Sequence, residues 1–367
     1  MKKFVDHFID NNNKIFKPIF FSLLFFYCYY AIKLNHYELL FIDERLLIDD
    51  IYNVWLLDDV FDRFTNIKND LIKSILIIIT EVSYGGDLRY GRLWSNIFTL
   101  LVGPFSLISN NTLISSARIL NILIFGGSIY FLSKIFIKKN YHWLAVVSLY
   151  SIPGVEFLNR FPKPETLSIF FISIGFYYLN IKKNYFAIFF FSVATFLKIN
   201  FVLLLLIVFC FIFYKIKNKF EFAIKSFLIA IFSLIIVNPI LLVPPIKIFN
   251  FQAPNFYTIY LDWIFSQGTY GQMEIFSIDY TFAWAFTLTK FYGLSSNLSY
   301  LFLIFLAILV CFLIRAAMKK NDDYSLLFIL IFTIYIIFYF FFIERQFIWY
   351  INLPFIFIIL AIFRLFE

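Results

Sequence analysis

The amino-acid sequence predicts an all-α fold, a polytopic transmembrane helical bundle of about ten spans, and three observations carry that expectation. Hydrophobic residues make up 62% of the chain and aromatics 23%, with a mean hydropathy of +0.84, well outside the range of chains that fold with a water-facing surface. Apolar runs recur at close to the ~20 residues a helix needs to cross ~30 Å of hydrocarbon, where no backbone amide is left unpaired. The short loops between the runs carry Lys and Arg in clusters, the pattern that marks a cytoplasmic face.

The first run, near residues 18–32, lacks a small-residue cleavage site and reads as a retained span. Runs follow near 97–108, 113–133, 143–158, 166–180, 185–214, 222–243, 298–314, 324–343 and 347–363. Four basic clusters punctuate them: Lys134 with Lys138 and Lys139, Lys182 with Lys183, Lys215 with Lys217 and Lys219, and Arg315 with Lys319 and Lys320. All four belong on one side, and that requirement settles two ambiguous runs. The 185–214 run becomes a hairpin turning at Lys198-Ile199-Asn200, because a single span there would separate the second and third clusters. The 97–108 run is short and contains Gly103-Pro104, so it becomes an interfacial helix. Both termini are then cytoplasmic, residues 1–367 form a single membrane domain, and the long outer segments are 34–113 and 240–297. The net charge of +8 resolves into a strongly basic inner face and a slightly acidic outer one. It is an orientation signal, and nucleic acid is excluded as a partner because the lysines form no aromatic-lined groove. Cys28, Cys210 and Cys311 lie inside apolar runs and read as small buried hydrophobes.

Charged residues crowd the outer loops. Asp43 and Glu44 follow the first span by about ten residues, in Leu40-Phe41-Ile42-Asp43-Glu44-Arg45, and a carboxylate held above the bilayer can take a proton from an attacking hydroxyl. A solvated acidic turn would contain the same residues. Gly85-Gly86-Asp87-Leu88-Arg89-Tyr90-Gly91-Arg92-Leu93-Trp94 joins two guanidinium groups, suited to bidentate phosphate binding, to aromatics that suit sugar faces or simple interfacial anchoring. Asn159-Arg160-Phe161-Pro162-Lys163-Pro164-Glu165-Thr166 concentrates two cations and an acid in one turn, and Pro164-Glu165 is also a helix start. Glu344-Arg345-Gln346-Phe347 precedes the last span. His7, His36 and His142 have no zinc spacing, and no phosphate loop, serine elbow or dinucleotide fingerprint is present.

In their order along the chain these pieces resemble the GT-C superfamily of integral-membrane glycosyltransferases, and among them bacterial relatives of protein O-mannosyltransferases and aminoarabinose transferases. The resemblance rests on Asp43-Glu44 in a long first outer loop, an interfacial helix, Ser116-Ala117-Arg118-Ile119-Leu120-Asn121, the Arg160-to-Glu165 turn, Phe196-Leu197-Lys198, Asn238-Pro239-Ile240-Leu241-Leu242, and Arg345 through Pro354. Tyr90-Gly91-Arg92 stands where the family frequently has Pro-Pro. The resemblance implies a GT-C-like bundle with interfacial helices in its first outer loop. It further implies inverting sugar transfer from a polyprenyl-phosphate donor to an acceptor hydroxyl on a glycan lipid, lipid or protein, at the outer face of a bacterial inner membrane. Asp43 is then the expected base, Glu44 its neighbour and Glu165 a second acid. Arg89, Arg92, Arg160, Lys163 and Arg345 are the expected donor-phosphate ligands. Adjacent Asp43 and Glu44 leave a divalent metal ion open. Two rivals remain at this point: an O-antigen-type polymerase, whose large loop usually lies in the second half, and a lipid-linked sugar flippase, which would place charges around a mid-membrane cavity.

Overall fold

A computed structural model describes residues 2–34, 44–45, 47–49, 51, 92–152, 155, 158, 161–238, 299–342 and 352–366. It is all-helical, with no strand among the described residues. In chain order the helices are α1 (Lys2–Lys33), α2 (Arg92–Val102), α3 (Asn110–Phe136), α4 (His142–Tyr150), α5 (Pro164–Asn180), α6 (Asn184–Leu197), α7 (Val202–Lys215), α8 (Lys219–Val237), α9 (Ser299–Lys320), α10 (Asp323–Phe342) and α11 (Asn352–Phe366). Among the described residues five segments are long and apolar enough to cross a membrane: Lys14–Lys33, Asn110–Phe136, Lys219–Val237, Leu301–Lys320 and Asp323–Phe341. Their exposed faces are hydrocarbon. On α9, Leu301, Ile304, Phe305, Ile308 and Phe312 recur at helical spacing and are all more than half exposed, which only a lipid solvent tolerates. These helices are consistent with an integral membrane protein.

The same lipid solvent corrects the expectation for the cysteines. Cys210 and Cys311 are exposed on the outside of the bundle and Cys28 is intermediate. In a bilayer an apolar side chain gains nothing from burial in protein, so an apolar run does not report an interior position.

Local signals set the helix ends. Pro164 occupies the first turn of α5 with Glu165 beside it, as the sequence predicts for a helix start. The 97–108 run is interrupted as Gly103-Pro104 requires: α2 stops at Val102 and a 3-10 turn continues over Gly103–Leu107. The 185–214 run does fold as a hairpin. Lys198 breaks it in an extended conformation (φ −147°, ψ 111°), a 3-10 turn covers Ile199–Phe201, and α7 returns. Phe222, at the start of α8, touches both Tyr185 near the start of α6 (5.7 Å between centroids) and Phe209 near the end of α7 (5.4 Å). Tyr335 staples the tip to α10: its hydroxyl donates to the Asn200 carbonyl (3.0 Å) and accepts from the Leu204 amide (3.2 Å).

The ends of the helices that carry the four basic clusters meet at one end of the bundle. Arg364 forks onto Asp322 (2.9 and 3.0 Å) and donates to the Phe136 carbonyl, Tyr324 donates to the Leu179 carbonyl, and Lys215 pairs with Asp323. Beneath them Phe136, Phe176, Phe328 and Phe357 form an aromatic knot that joins α3, α5, α10 and α11, with centroids 4.8–5.7 Å apart. Close approach is allowed at Gly126, where an added Cβ would lie 2.8 Å from Leu24, and at Gly175, where it would lie 3.1 Å from the Phe191 ring.

Burial of Asp322 works against its charge, but hydrogen bonds from Arg364 and Ser325 outweigh it and hold the carboxyl below the usual aspartate range. A depressed folded pKa contributes stability that is complete above the unfolded value of ~3.9 and is lost as the pH falls through the folded one. Thermal unfolding in detergent should therefore show an acid-side loss of stability below about pH 4 that Asp322→Asn removes. An unchanged acid limb in that variant would contradict the pairing.

Candidate functional site

At the end of the bundle opposite the basic clusters, buried charges gather around the first turns of α3 and α5. Ser109 caps α3 by accepting the Thr112 amide (3.1 Å). Farther along, Arg118 is 3% exposed yet fully engaged. Its Nε donates to Glu44 Oε1 (2.5 Å), its Nη2 to Glu44 Oε2 (2.8 Å), and its Nη1 to the Leu34 carbonyl. The guanidinium also lies over the Phe161 ring, 5.4 Å from its centroid. One side chain thus touches the end of α1, the segment between α1 and α2, and the turn before α5.

Asn121, three residues on and so on the same helix face, fastens that turn. Its Nδ2 donates to the Leu158 and Phe161 carbonyls, and its Oδ1 accepts the Lys163 amide (3.5 Å). The bonds hold Lys163 fully buried just before Pro164 opens α5. Glu165, 5% exposed in the first turn, pairs through Oε1 with Lys198 at the hairpin tip (3.2 Å). Its buried Oε2 has no hydrogen-bond partner among the described residues. A buried carboxylate oxygen without a donor is costly.

An apolar floor supports the charges. Leu47, Ile48 and Ile51 from the first outer loop pack with Trp94 and Phe98 of α2, with Leu113 and Ala117 of α3, and with Leu167, Leu197 and Val237 at the ends of α5, α6 and α8. The face of α2 turned to this cluster is Trp94, Ser95, Phe98, Thr99 and Val102, while Leu100 and Leu101 stay exposed. Leu47, Ile48 and Ile51 and the first turn of α5 therefore share one foundation.

Of the site residues expected from sequence, Glu44, Lys163 and Glu165 come to this end of the fold. Glu44 arrives with both carboxylate oxygens accepting from Arg118. Arg92 opens α2, and its side chain lies outside the described residues, as do Asp43, Arg89, Arg160 and Arg345. Among the described residues no group of three His, Cys, Asp or Glu side chains could hold a metal ion. Sequence reasoning placed Arg118, Asn121 and Lys198 in motifs, and Lys198 at the hairpin turn, but assigned none of them a role in the site. The signal for the first two was present: an arginine and an asparagine three apart inside an otherwise apolar span are expensive in lipid unless they face partners. Compared with protein-family models, curated proteins and solved structures, the chain has no match.

Proposed function

We propose that this chain is an integral-membrane glycosyltransferase of GT-C type, moving a sugar from a polyprenyl-phosphate donor to an acceptor hydroxyl with inversion at the outer face of a bacterial inner membrane. In this reading the bundle has ten spans, the basic end is cytoplasmic, and the Glu44–Lys198 end faces outward. The observation that carries it is the buried Glu165, one oxygen on Lys198 and the other without a donor among the described residues, on the same apolar floor as Leu47, Ile48 and Ile51 of the segment between α1 and α2. Inverting transfer needs two things here. A carboxylate must take the proton of the acceptor oxygen as that oxygen attacks the anomeric carbon. Cations must receive the phosphate as the sugar-phosphate C–O bond breaks and the electron pair leaves with the lipid phosphate. Asp43 is the proposed base, adjoining the residue that Arg118 anchors. Glu165 is the second acid, and Arg89, Arg92, Arg160, Lys163 and Arg345 are the proposed phosphate ligands.

The test is transfer of labelled sugar from polyprenyl phosphate by protein in proteoliposomes, with folding verified. Asp43→Asn keeps shape and removes basicity, so turnover should fall about 10²-fold or more with donor binding retained, general-base contributions being about 10²–10⁴. Arg345→Ala should instead weaken donor binding, through loss of a charge-assisted contact. Near-normal turnover in Asp43→Asn moves the base to Glu165, and normal turnover in both Asp43→Asn and Glu165→Gln overturns the reading.

A further inference from the structure

At the basic end of the bundle two side chains close the turn between α3 and α4. Ser133, in the last turn of α3, and His142, the first residue of α4, are both buried, although the turn between them carries the exposed Lys138 and Lys139. The Ser133 hydroxyl donates to the His142 carbonyl (3.1 Å), which uses its one proton. Towards the imidazole Nδ1, 3.0 Å away, the same oxygen therefore accepts. That makes Nδ1 the protonated nitrogen of the neutral ring and leaves Nε2 with a lone pair. Nε2 is buried and has no hydrogen-bond partner among the described residues. Aromatic rings box it in instead, Tyr130 at 4.8 Å and Trp143 at 5.1 Å between centroids.

The surroundings of the ring are cationic. α1, α3 and α11 pack against α4. Among the described residues the charged side chains they bring to this end are Lys14 and Lys17 on α1, Lys134 on α3 and Arg364 on α11. Lys14 is exposed, Lys17 lies over the Trp143 ring, Lys134 lies over the Tyr130 ring, and Arg364 is forked onto Asp322. His142 stands just ahead of the 143–158 apolar run. Burial, and after it the Lys134 ammonium, push its imidazole below the usual histidine range, against a bond at the Ser133 backbone that favours the charged form. In acid, a proton taken from water adds to the Nε2 lone pair. The product is a buried cation whose new N–H has no acceptor in place, near an ammonium of like charge. Turning the ring out into water relieves both penalties and breaks the bonds to Ser133. We propose that the Ser133–His142 pair is an acid-released latch, which holds the α3–α4 turn closed while His142 is neutral and lets it open when His142 takes a second proton. An imidazole with a lower pKa closed than open contributes stability that is complete above the open value of ~6.5 and is lost as the pH falls towards the closed one. The inference is independent of the transferase reading.

The experiment is hydrogen–deuterium exchange of the full-length protein in detergent at about pH 7.5 and about pH 5.5, with rates corrected for the intrinsic pH dependence of amide exchange. The amides of Ile137, Tyr141 and Ala145, bonded to the Ser133, Lys138 and Tyr141 carbonyls, report the turn. Their exchange should be about threefold or more faster at the lower pH, with about tenfold the ceiling for one group of open-state pKa ~6.5. Amides in the middle of α5 should not respond, and Asp322 stays ionised at both values. In His142→Asn the side-chain amide can donate to Ser133 as Nδ1 does but takes up no proton, so the turn should be protected equally at both pH values. Lys134→Gln removes the like charge and should shrink the difference. Thermal unfolding checks each variant. If His142→Asn is unstable, Lys134→Gln and a direct NMR titration of the labelled His142 ring decide. Equal protection of the parent at both pH values, an undiminished pH response in folded His142→Asn, or a ring midpoint at or above ~6.5 overturns the proposal.

Discussion

Arg118→Leu should destabilise the protein by about 3–5 kcal/mol, because it removes the guanidinium from a fully buried carboxylate. Glu44 has no exposed surface, and both its oxygens accept from Arg118. The Leu34 carbonyl loses its donor in the same step. A loss of that size is a large share of the ~5–15 kcal/mol that holds a typical fold together, so low expression and a sharply lowered unfolding temperature in detergent are expected. Removing both charges, as Glu44→Leu with Arg118→Leu, should recover most of it, since a buried pair replaced whole by apolar groups is often close to neutral. A double-mutant cycle measured by thermal unfolding gives the coupling. An Arg118→Leu protein as stable as the parent would mean that the pair does not form.

The second large effect belongs to Lys198. With Glu165 Oε2 lacking a hydrogen-bond partner among the described residues, Lys198→Met would remove the ammonium paired with Oε1 in a nearly dry site, at a cost of about 3 kcal/mol. Adding Glu165→Gln removes the stranded charge and should return the unfolding temperature toward that of the parent. Sugar transfer separates structure from chemistry in these variants. If Glu165 acts on substrate, the double variant is stable and still slow, by roughly 10²-fold. Recovery of both stability and turnover would reduce Glu165 to a structural counter-ion and leave the chemistry to the first outer loop.

The large-scale layout was legible in the sequence wherever charge or length decided it. Lys182 and Lys183 could not share a face with Lys215 unless the apolar run between them turned back, and Lys198 is where it turns. Pro164 announced the start of α5 because proline lacks the amide that a helix leaves unbonded there. The Arg118 pair was not legible, since Glu44 lies 74 positions earlier and no local spacing rule links them. Glu44 therefore read only as the neighbour of the expected base Asp43, and its pairing with Arg118 emerges from the fold. Cys210 and Cys311 misled for another reason: hydrophobicity reports burial only when the solvent is water. The span count rested on apolar runs and the basic clusters between them, and α4, α6 and α7 are shorter than a straight crossing requires.

The length of α6 has a mechanical consequence. Fourteen residues from Asn184 to Leu197 rise ~21 Å, about 9 Å less than the hydrocarbon thickness of an average bilayer. In a bilayer whose basic face is level with the first turn of α6, the hairpin tip at Lys198 would stop short of the opposite headgroups, and hydrophobic mismatch would draw the surrounding leaflet toward the buried Glu165. Under the proposed transferase reading, a lipid-borne donor would then meet that carboxylate at the depth of its own polar head, and bilayer thickness would tune access.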